Sequence, residues 1–170
     1  FKSDSDTEVI IHGYEEYGES IVEKLRGMFA FAIWDSDKKQ LFLARDRVGK
    51  KPLFYYADEE RFVFASELKA IIQDPTILRE INLESVSHYL SYCYIPAPLS
   101  IFKDIFKLLP GHYMVVNNQG EIKTTKYWDL VFNPSNYSEE YYAEQTLREL
   151  EDATKMRMTS DVPLGAFLSG

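Results

Sequence analysis

Few side chains in this sequence have both the type and the spacing that catalysis needs. The single cysteine, Cys93, lies between Tyr92 and Tyr94. A mid-chain thiol has no free α-amine beside it, and with an ordinary pKa of roughly 8.5 it needs an activating neighbour. The apolar neighbours instead predict a buried structural thiol. One cysteine also excludes an internal disulfide and any multi-cysteine zinc site.

Two further patterns carry little chemistry. The three histidines, His12, His88 and His112, have no metal-ligand spacing among themselves, so no metal site is predicted. Ser66 and Lys69 form an S-x-x-K pattern, but the S-D-N and K-T-G elements of penicillin-binding serine enzymes do not accompany it. We therefore interpret Ser66 as the cap of a short helix over residues 67–73.

Composition excludes several functional classes. The chain has 170 residues, a formal net charge of −8 and no basic block, which argues against nucleic-acid binding. Its longest apolar stretch, residues 28–34, is far shorter than the roughly 18 residues that span a bilayer, so no membrane contact is expected. The single cysteine favours a reducing, cytoplasmic setting. The chain starts at Phe1 instead of Met and stops within an apolar, glycine-rich run, so we expect it to be a piece of a longer protein.

The elements that must position any site are predicted from periodicity. Ser5 and Glu8 have the spacing of a capping box, and apolar residues then recur at helical spacing, which predicts a helix over residues 6–25 with a break near Gly18. Residues 28–35 alternate with apolar side chains on both faces, which predicts a strand buried on both sides. Residues 35–39 then predict a hairpin loop, and short connections predict an antiparallel meander through residues 41–45, 53–56 and 61–65.

The second half of the chain continues this mixed pattern. Asn82 is a candidate cap for a helix over residues 83–92, and strands are expected near residues 101–106, 113–116 and 122–128. Residues 129–137 form a candidate linker. Ser138 then caps a helix whose buried face is predicted to contain Leu147 and Leu150, together with Ala153 and Thr154. The fold class is α+β, and the N-terminal-nucleophile sandwich of two sheets between two helical layers is one arrangement that covers such strands.

Five blocks of sequence, in order, carry a resemblance to a known family. They read SDTEVI at 5–10, LRGMFAFAIWD at 25–35, LARDRVGKKPLFYY at 43–56, FASELKA at 64–70 and SDVPLGAFLSG at 160–170, with PAP at 96–98 and PGH at 110–112 between the last two. In content and order the chain resembles the glutamine-hydrolysing asparagine synthetases of the bacterial type.

The resemblance implies two domains. Residues 1–128 correspond to the C-terminal part of a class II glutamine amidotransferase domain of the N-terminal-nucleophile fold, which releases ammonia from glutamine. Residues 138–170, after the 129–137 linker, correspond to the first helix and strand of an α/β synthetase domain. That domain uses ATP and Mg²⁺ to adenylate aspartate, and ammonia reaches it through an internal tunnel. Glutamine, aspartate and ATP are the implied ligands, and a homodimer is possible because half a sandwich leaves apolar faces uncovered.

The resemblance also implies roles for particular residues. Asp6 matches the aspartate that holds the α-ammonium of glutamine, although an acid in a first helical turn also interacts with the helix dipole. Met28 matches a methionine of the ammonia tunnel, although a core methionine would look the same. The run Phe167, Leu168, Ser169 and Gly170 matches a strand entering the pyrophosphate loop of the ATP site. No catalytic residue is assigned within this chain.

Arg45, Asp46 and Arg47 remain open between two readings. The first is a charged latch near the domain interface, and the second is a surface ion pair worth under about 1 kcal/mol. A structural role is favoured. Gly49, which follows them, is expected to adopt a positive φ.

Several family features are absent. The chain begins with Phe1 where the family has its nucleophilic cysteine, and it lacks the arginine and Asn-Gly segment of the glutamine pocket. The pyrophosphate loop is represented only by its first two residues, and Leu109 stands where the family usually has a second proline. The fragment by itself is therefore expected to be inactive.

Alternative functions follow from the same residues. One is a related two-domain amidotransferase or β-lactam-forming synthetase that uses another acceptor. The other, for these 170 residues alone, is a non-catalytic interaction domain.

Overall fold

The computed structural model describes residues 1–3 and 5–168. The chain divides into two compact units, Phe1–Leu130 and Val131–Gly170. In the part of the chain described, no helix combines the length and the apolar character that crossing a bilayer requires.

The first unit contains both helices and strands, and one long helix dominates the second. The helices are α1 (Asp6–Tyr17), α2 (Ile21–Lys24), α3 (Leu68–Ile71), α4 (Leu83–Tyr92) and α5 (Glu139–Arg157), with a 3₁₀ turn over Gly18–Ser20. The strands are β1 (Ala30–Asp35), β2 (Gln40–Arg45), β3 (Phe54–Ala57), β4 (Phe62–Ala65), β5 (Ile105–Lys107), β6 (His112–Asn117) and β7 (Ile122–Lys126).

The strands form two antiparallel sheets. Their orders are β1-β2-β6-β7 and β4-β3-β5, which confirms the α+β class. The hairpin predicted at residues 35–39 is present, since Asp35 pairs with Gln40. The continuous meander is wrong, because β2 pairs with β6, with Leu43 opposite Met114, while β3 belongs to the other sheet. The connection between β2 and β3 thus passes from one sheet to the next.

Three hydrophobic clusters order the layers of the first unit. The first packs α1 and α2 on one face of the larger sheet, the second lies between the two sheets, and the third packs α3 on the far face of the smaller sheet. Their buried members are Tyr14, Ile21, Val22, Phe42 and Ala44; then Leu43, Leu53, Leu108, Met114 and Val116; then Ile71, Ile77 and Ile105. Side chains alternate across a strand, so Phe42 and Leu43 of β2 serve different clusters.

The prediction that β1 is buried on both faces is wrong. Its order in the sheet makes β1 an edge strand, and among the described residues only β2 pairs with it. Phe31 and Ile33 pack against the first cluster, while Trp34 is 60% exposed. In the part of the chain that the structure describes, one edge of this apolar strand is thus unpaired, and such edges invite further pairing.

The first helix begins and breaks where the sequence predicts. Ser5 is the N-cap, and its Oγ accepts a hydrogen bond from Thr7 N at 3.2 Å. Gly18 ends α1 with a φ of 57°, and its N–H donates to the Tyr14 carbonyl. Only the second half of the capping box differs, because the Glu8 carboxylate accepts from the backbone N–H groups of Lys2 and Ser3 instead of that of Ser5.

Two other predicted caps have different outcomes. Asn82 caps α4, and its Oδ1 accepts from Ser85 N at 3.2 Å. The Ser66 cap is wrong, because α3 covers only four residues and begins after Glu67, with no side-chain cap. The short helix is held instead by Ile71, which is buried in the third cluster.

In the second unit, one predicted helix cap is confirmed and two other predictions are wrong. Ser138 caps α5, with its Oγ accepting from Tyr141 N at 3.2 Å. The predicted buried face is wrong, since Leu147 and Leu150 are 57% and 59% exposed. No strand forms at residues 166–168 either, because a strand needs a neighbour for its backbone hydrogen bonds and the described residues of this unit supply none.

Candidate functional site

A groove of about 780 Å³ in the first unit runs between α1 and β1, and we call it the α1–β1 groove. Its walls come from the first turns of α1, from the residues leading into and along β1, and from two loops of the rest of the unit. The lining residues are Asp6, Thr7, Ile10, Ile11, Met28, Phe29, Ala30, Phe31, Ala32, Ile33, Trp34, Lys51, Pro52 and Ser66. The groove is therefore mainly apolar, with its charged and polar groups confined to a few positions.

Asp6 lies at the first position of α1 and lines this groove. The helix start is already satisfied by Ser5, so the Asp6 carboxylate is not needed as a cap. Within the described residues this carboxylate has no hydrogen bond or salt bridge with another side chain. It remains available to bind a ligand that presents hydrogen-bond donors, above all a cationic one.

Met28 lines the same groove, just before β1. Its side chain is 52% exposed, so the reading of Met28 as an ordinary core methionine is wrong. The apolar wall continues through Phe29 and Phe31, whose ring centroids lie 5.5 Å apart. A wall of this kind accepts neutral molecules more readily than ions, because it offers a charge no hydrogen-bond partner.

Two polar groove residues have no sequence signal that assigns them to a site. Lys51 follows β2 in a loop, and Ser66 follows β4. Together with Asp6 and Thr7 they bring one anionic, one cationic and two hydroxyl side chains to the lining, a set suited to a small zwitterion such as an amino acid. Long separations in sequence explain why spacing alone could not have found them.

At the start of α1, the Glu8 carboxyl group has an unusually low pKa. The Ser3 hydroxyl donates a hydrogen bond to it, the N–H groups of Lys2 and Ser3 donate two more, and together they lower the pKa of the Glu8 carboxyl to about 2. The carboxylate fixes the segment before α1 onto the helix. It thereby anchors the chain close to Asp6 without lining the groove itself.

The residues assigned to an ATP loop lie in the second unit. Phe167 and Leu168 are almost fully exposed and line no cavity described for that unit. Ser169 and Gly170 lie outside the described residues. Within residues 1–3 and 5–168, no group of three or more histidine, cysteine, aspartate or glutamate side chains could hold a metal ion.

The prediction that Cys93 is a buried structural thiol is wrong. Cys93 is exposed, not buried, and ends α4 in the left-handed conformation with a φ of 58°. The flanking Tyr92 and Tyr94 are themselves 58% and 61% exposed, so apolar neighbours in sequence did not produce an apolar environment. Cys93 does not line the α1–β1 groove.

The histidines have ordinary structural partners. His12 contacts Glu8 and Glu15 on the surface of α1, and His112 Nδ1 lies 2.7 Å from the Pro110 carbonyl. His88 Nε2 lies 3.5 Å from Glu84.

The Arg45–Arg47 segment is structural but not a surface ion pair. Asp46 is fully buried and Arg45 is 8% exposed, and both bind backbone groups. Arg47 donates from Nη2 to the Glu23 carbonyl. Gly49 has the expected positive φ, at 67°.

Comparison with solved structures supports the fold. The structure of the allosteric regulatory enzyme of purine biosynthesis covers 77% of this chain and 24% of its own, with a TM-score of 0.51 and 19% sequence identity. The fold is thus one that occurs within larger enzymes.

Comparison with sequence families gives the class. Residues 1–128 match the model described as a glutamine amidotransferase domain. This chain belongs to the glutamine amidotransferase domain family.

Two curated relatives match beyond that domain. A Methanocaldococcus jannaschii protein provisionally named asparagine synthetase (glutamine-hydrolyzing) 2 is 41% identical over 169 residues, which are 98% of this chain and 33% of that protein. Asparagine synthetase (glutamine-hydrolyzing) 1 of Bacillus subtilis is 36% identical over 170 residues, which are 100% of this chain and 27% of that protein. The expected resemblance is confirmed, and the chain spans about a third of its relatives' length or less.

Proposed function

We propose that this chain is part of a glutamine-dependent asparagine synthetase and that the α1–β1 groove receives the amino-acid end of glutamine. The observation that carries the proposal is the convergence of Asp6 and Met28 on one groove, in a chain whose relatives bear that name. The two residues come from different segments of the chain, the start of α1 and the segment before β1. The order of layers in the first unit, helix, sheet, sheet and helix, supports the N-terminal-nucleophile sandwich as its finer fold.

Asp6 has the chemistry for one specific task. Its carboxylate accepts hydrogen bonds from the α-ammonium of glutamine and holds that end of the substrate at the start of α1. Charge-assisted hydrogen bonds of this kind contribute about 1.5–3 kcal/mol. The amide end of glutamine then extends along the groove.

Met28 and the neighbouring apolar residues have a different task. Ammonia released from the glutamine amide is neutral, while ammonium carries a charge that an apolar wall disfavours. The wall therefore keeps the released nitrogen as ammonia, the form with a free electron pair. That form is the nucleophile that attacks an activated carboxyl group to give the amide of asparagine.

The rest of the proposal concerns the use of ATP, Mg²⁺ and aspartate. The described residues include no set of ligands for a metal ion, so no step through Mg²⁺ is assigned to this chain. The run from Phe167 to Gly170 is proposed as the beginning of the ATP-binding segment. Adenylation of aspartate then falls to the part of the relatives' length that this chain does not cover.

The test uses the full-length protein and its two possible nitrogen sources. Asp6→Asn removes the charge and keeps the size of the side chain, so the KM for glutamine should rise roughly ten- to hundredfold. Synthesis from ammonium chloride should stay unchanged. Asparagine formation is measured over a range of each nitrogen source.

Glu84→Gln is the matched control. Glu84 is also an acid in the first turn of a helix, α4, so it has a similar interaction with a helix dipole, but it does not line the groove. The control should leave both nitrogen sources unaffected. An equal loss with glutamine and with ammonium in Asp6→Asn would mean that Asp6 supports folding and not the substrate.

A further inference from the structure

A buried pair of charged residues lies behind one wall of the α1–β1 groove. Asp46 has no exposed surface and Arg45 is 8% exposed, both at the end of β2. Burying a charge is unfavourable unless hydrogen bonds compensate for the lost water. The partners of these two side chains therefore indicate what the buried charges hold in place.

The Asp46 carboxylate binds the loop that follows it. Oδ1 accepts from Val48 N at 3.2 Å and from Lys50 N at 2.9 Å. Oδ2 accepts from Lys51 N at 2.9 Å. Three backbone amides are thus held by one side chain, and the last of them belongs to a residue that lines the groove.

The Arg45 guanidinium completes the arrangement from the carbonyl side. Nε donates to the Lys51 carbonyl at 2.8 Å, and Nη2 donates to the Gly49 carbonyl at 2.8 Å. Nη1 donates to the Leu108 carbonyl at 2.5 Å. Both backbone groups of Lys51 are therefore bound, one by Asp46 and one by Arg45.

Close packing leaves this loop little room to move. A Cβ on Gly49 would lie 2.8 Å from Pro110 Cγ and 3.0 Å from Arg45 Cζ. The Asp46 carbonyl accepts from Gly49 N at 3.0 Å and from Gly111 N at 2.9 Å. The loop is thus fixed both to its own strand and to the turn before β6.

We propose that Asp46 is a positioning residue for glutamine, acting through the backbone of Lys51 to hold the Lys51–Pro52 wall of the groove. This rests on the proposed function of the groove. Asp46 does not line the groove and touches no substrate. Its loss frees the Lys51 N–H, lets the wall shift, and weakens glutamine binding while the rest of the protein keeps its activity.

Asp46→Asn tests this directly in the full-length protein. An asparagine has one acceptor oxygen, and its NH₂ group cannot accept from a backbone N–H, so either Lys51 or the pair Val48 and Lys50 loses its partner. The KM for glutamine should rise about five- to tenfold. The kcat with glutamine and the rate with ammonium chloride should stay within about twofold, a split that a general loss of folded protein does not produce.

Asp58→Asn is the matched control. Asp58 also accepts from two backbone amides in its turn, those of Glu60 and Arg61, but it lies between β3 and β4 and does not line the groove. The control should leave the KM for glutamine unchanged.

If Asp46→Asn does not fold, Arg45→Lys replaces it, because a lysine cannot bind Gly49, Lys51 and Leu108 together. The same rise in KM is then expected.

Three results overturn the proposal. These are an unchanged KM in the folded variant, an equal rise in Asp58→Asn, and an equal loss with glutamine and ammonium. If the proposed function itself is wrong, the result differs. The wild-type protein then uses ammonium but not glutamine, which shows that the α1–β1 groove is not a glutamine site. If the wild-type protein uses glutamine and Asp6→Asn has its expected effect, a negative result with Asp46→Asn contradicts only the role of Asp46.

Discussion

Single carboxylates in this protein differ mainly in what donates hydrogen bonds to them. Asp6 has no side-chain partner among the described residues and lines the α1–β1 groove. Glu8, two residues later, accepts from Ser3 and Lys2. Asp46 is buried against three backbone amides. The first is free to bind a ligand, while the other two hold the chain on either side of the same groove.

The pH response of Glu8 gives a prediction at this scale. Its pKa is lowered from 4.5 to about 2, first by the Ser3 hydroxyl. A lowered pKa means that the ionised form stabilises the fold, so this contribution is complete above pH 4.5 and is lost as the pH falls toward 2. Ser3→Ala should move the Glu8 pKa back toward 4.5, measured by NMR titration of its carboxyl carbon.

Ser20→Ala is the control for that titration. Ser20 donates to the Tyr17 carbonyl and does not contact Glu8, so its removal should leave the Glu8 titration unchanged. A Glu8 pKa of about 4.5 already present in the wild-type protein would contradict the contacts with Ser3 and Lys2.

At the scale of elements, the helices depend on different sources of stability. The N-cap of α4 is a specific side-chain contact from Asn82, and Ser85 is the only buried residue of that helix. In contrast, α3 has no side-chain cap and is anchored by buried Ile71. Local hydrogen bonding therefore matters most where tertiary packing contributes least.

This contrast predicts unequal effects of two small substitutions. Asn82→Ala removes the hydrogen bond to Ser85 N and should lower the free energy of unfolding by about 1 kcal/mol. Ser66→Ala removes no cap and should change it by less than about 0.5 kcal/mol. Urea unfolding followed by circular dichroism measures both. Equal losses in the two variants would restore Ser66 as a helix cap.

The strand β1 is the element that relates most closely to the site. Among the described residues it is an edge strand, and residues along it line the α1–β1 groove. The same apolar residues that predict double burial therefore line an open groove with half-exposed Met28 and Trp34. Among the described residues, the edge position thus leaves a core-like sequence partly exposed along the groove.

At the scale of the whole molecule, the chain consists of two compact units. The segment between β7 and α5 contains neither helix nor strand, and Val131 and Phe132 are 81% and 84% exposed. Residues in such segments reach a protease more readily than residues in a sheet.

Limited digestion of the 170-residue chain by chymotrypsin should follow this division. The first cut that separates the two units is expected after Phe132, and the fragment that ends there should resist further digestion. Phe132→Ala should slow that cut. Phe64→Ala, which changes a 39% exposed residue of β4, should leave it unchanged. Mass spectrometry identifies the fragments, and an earlier cut inside the sheets would contradict the two-unit division.

The sequence by itself determined the features that depend on neighbouring residues. The caps at Ser5, Asn82 and Ser138, the break at Gly18 and the hairpin after β1 all form as predicted. Each rests on hydrogen bonds or backbone angles within one turn of chain, so the residues that cause it lie side by side. The α+β class follows from the order of such local signals, while the family resemblance follows from five ordered blocks of sequence.

Only the tertiary structure decided pairing and burial. It placed β2 beside β6, left Cys93 exposed and β1 partly exposed, and brought Lys51 and Ser66 to the groove that Asp6 and Met28 line. These features depend on which distant segments meet, and the same alternation of apolar residues is compatible with a central strand or an edge strand. The position of a strand in its sheet, which no local pattern encodes, sets what each of its faces contacts.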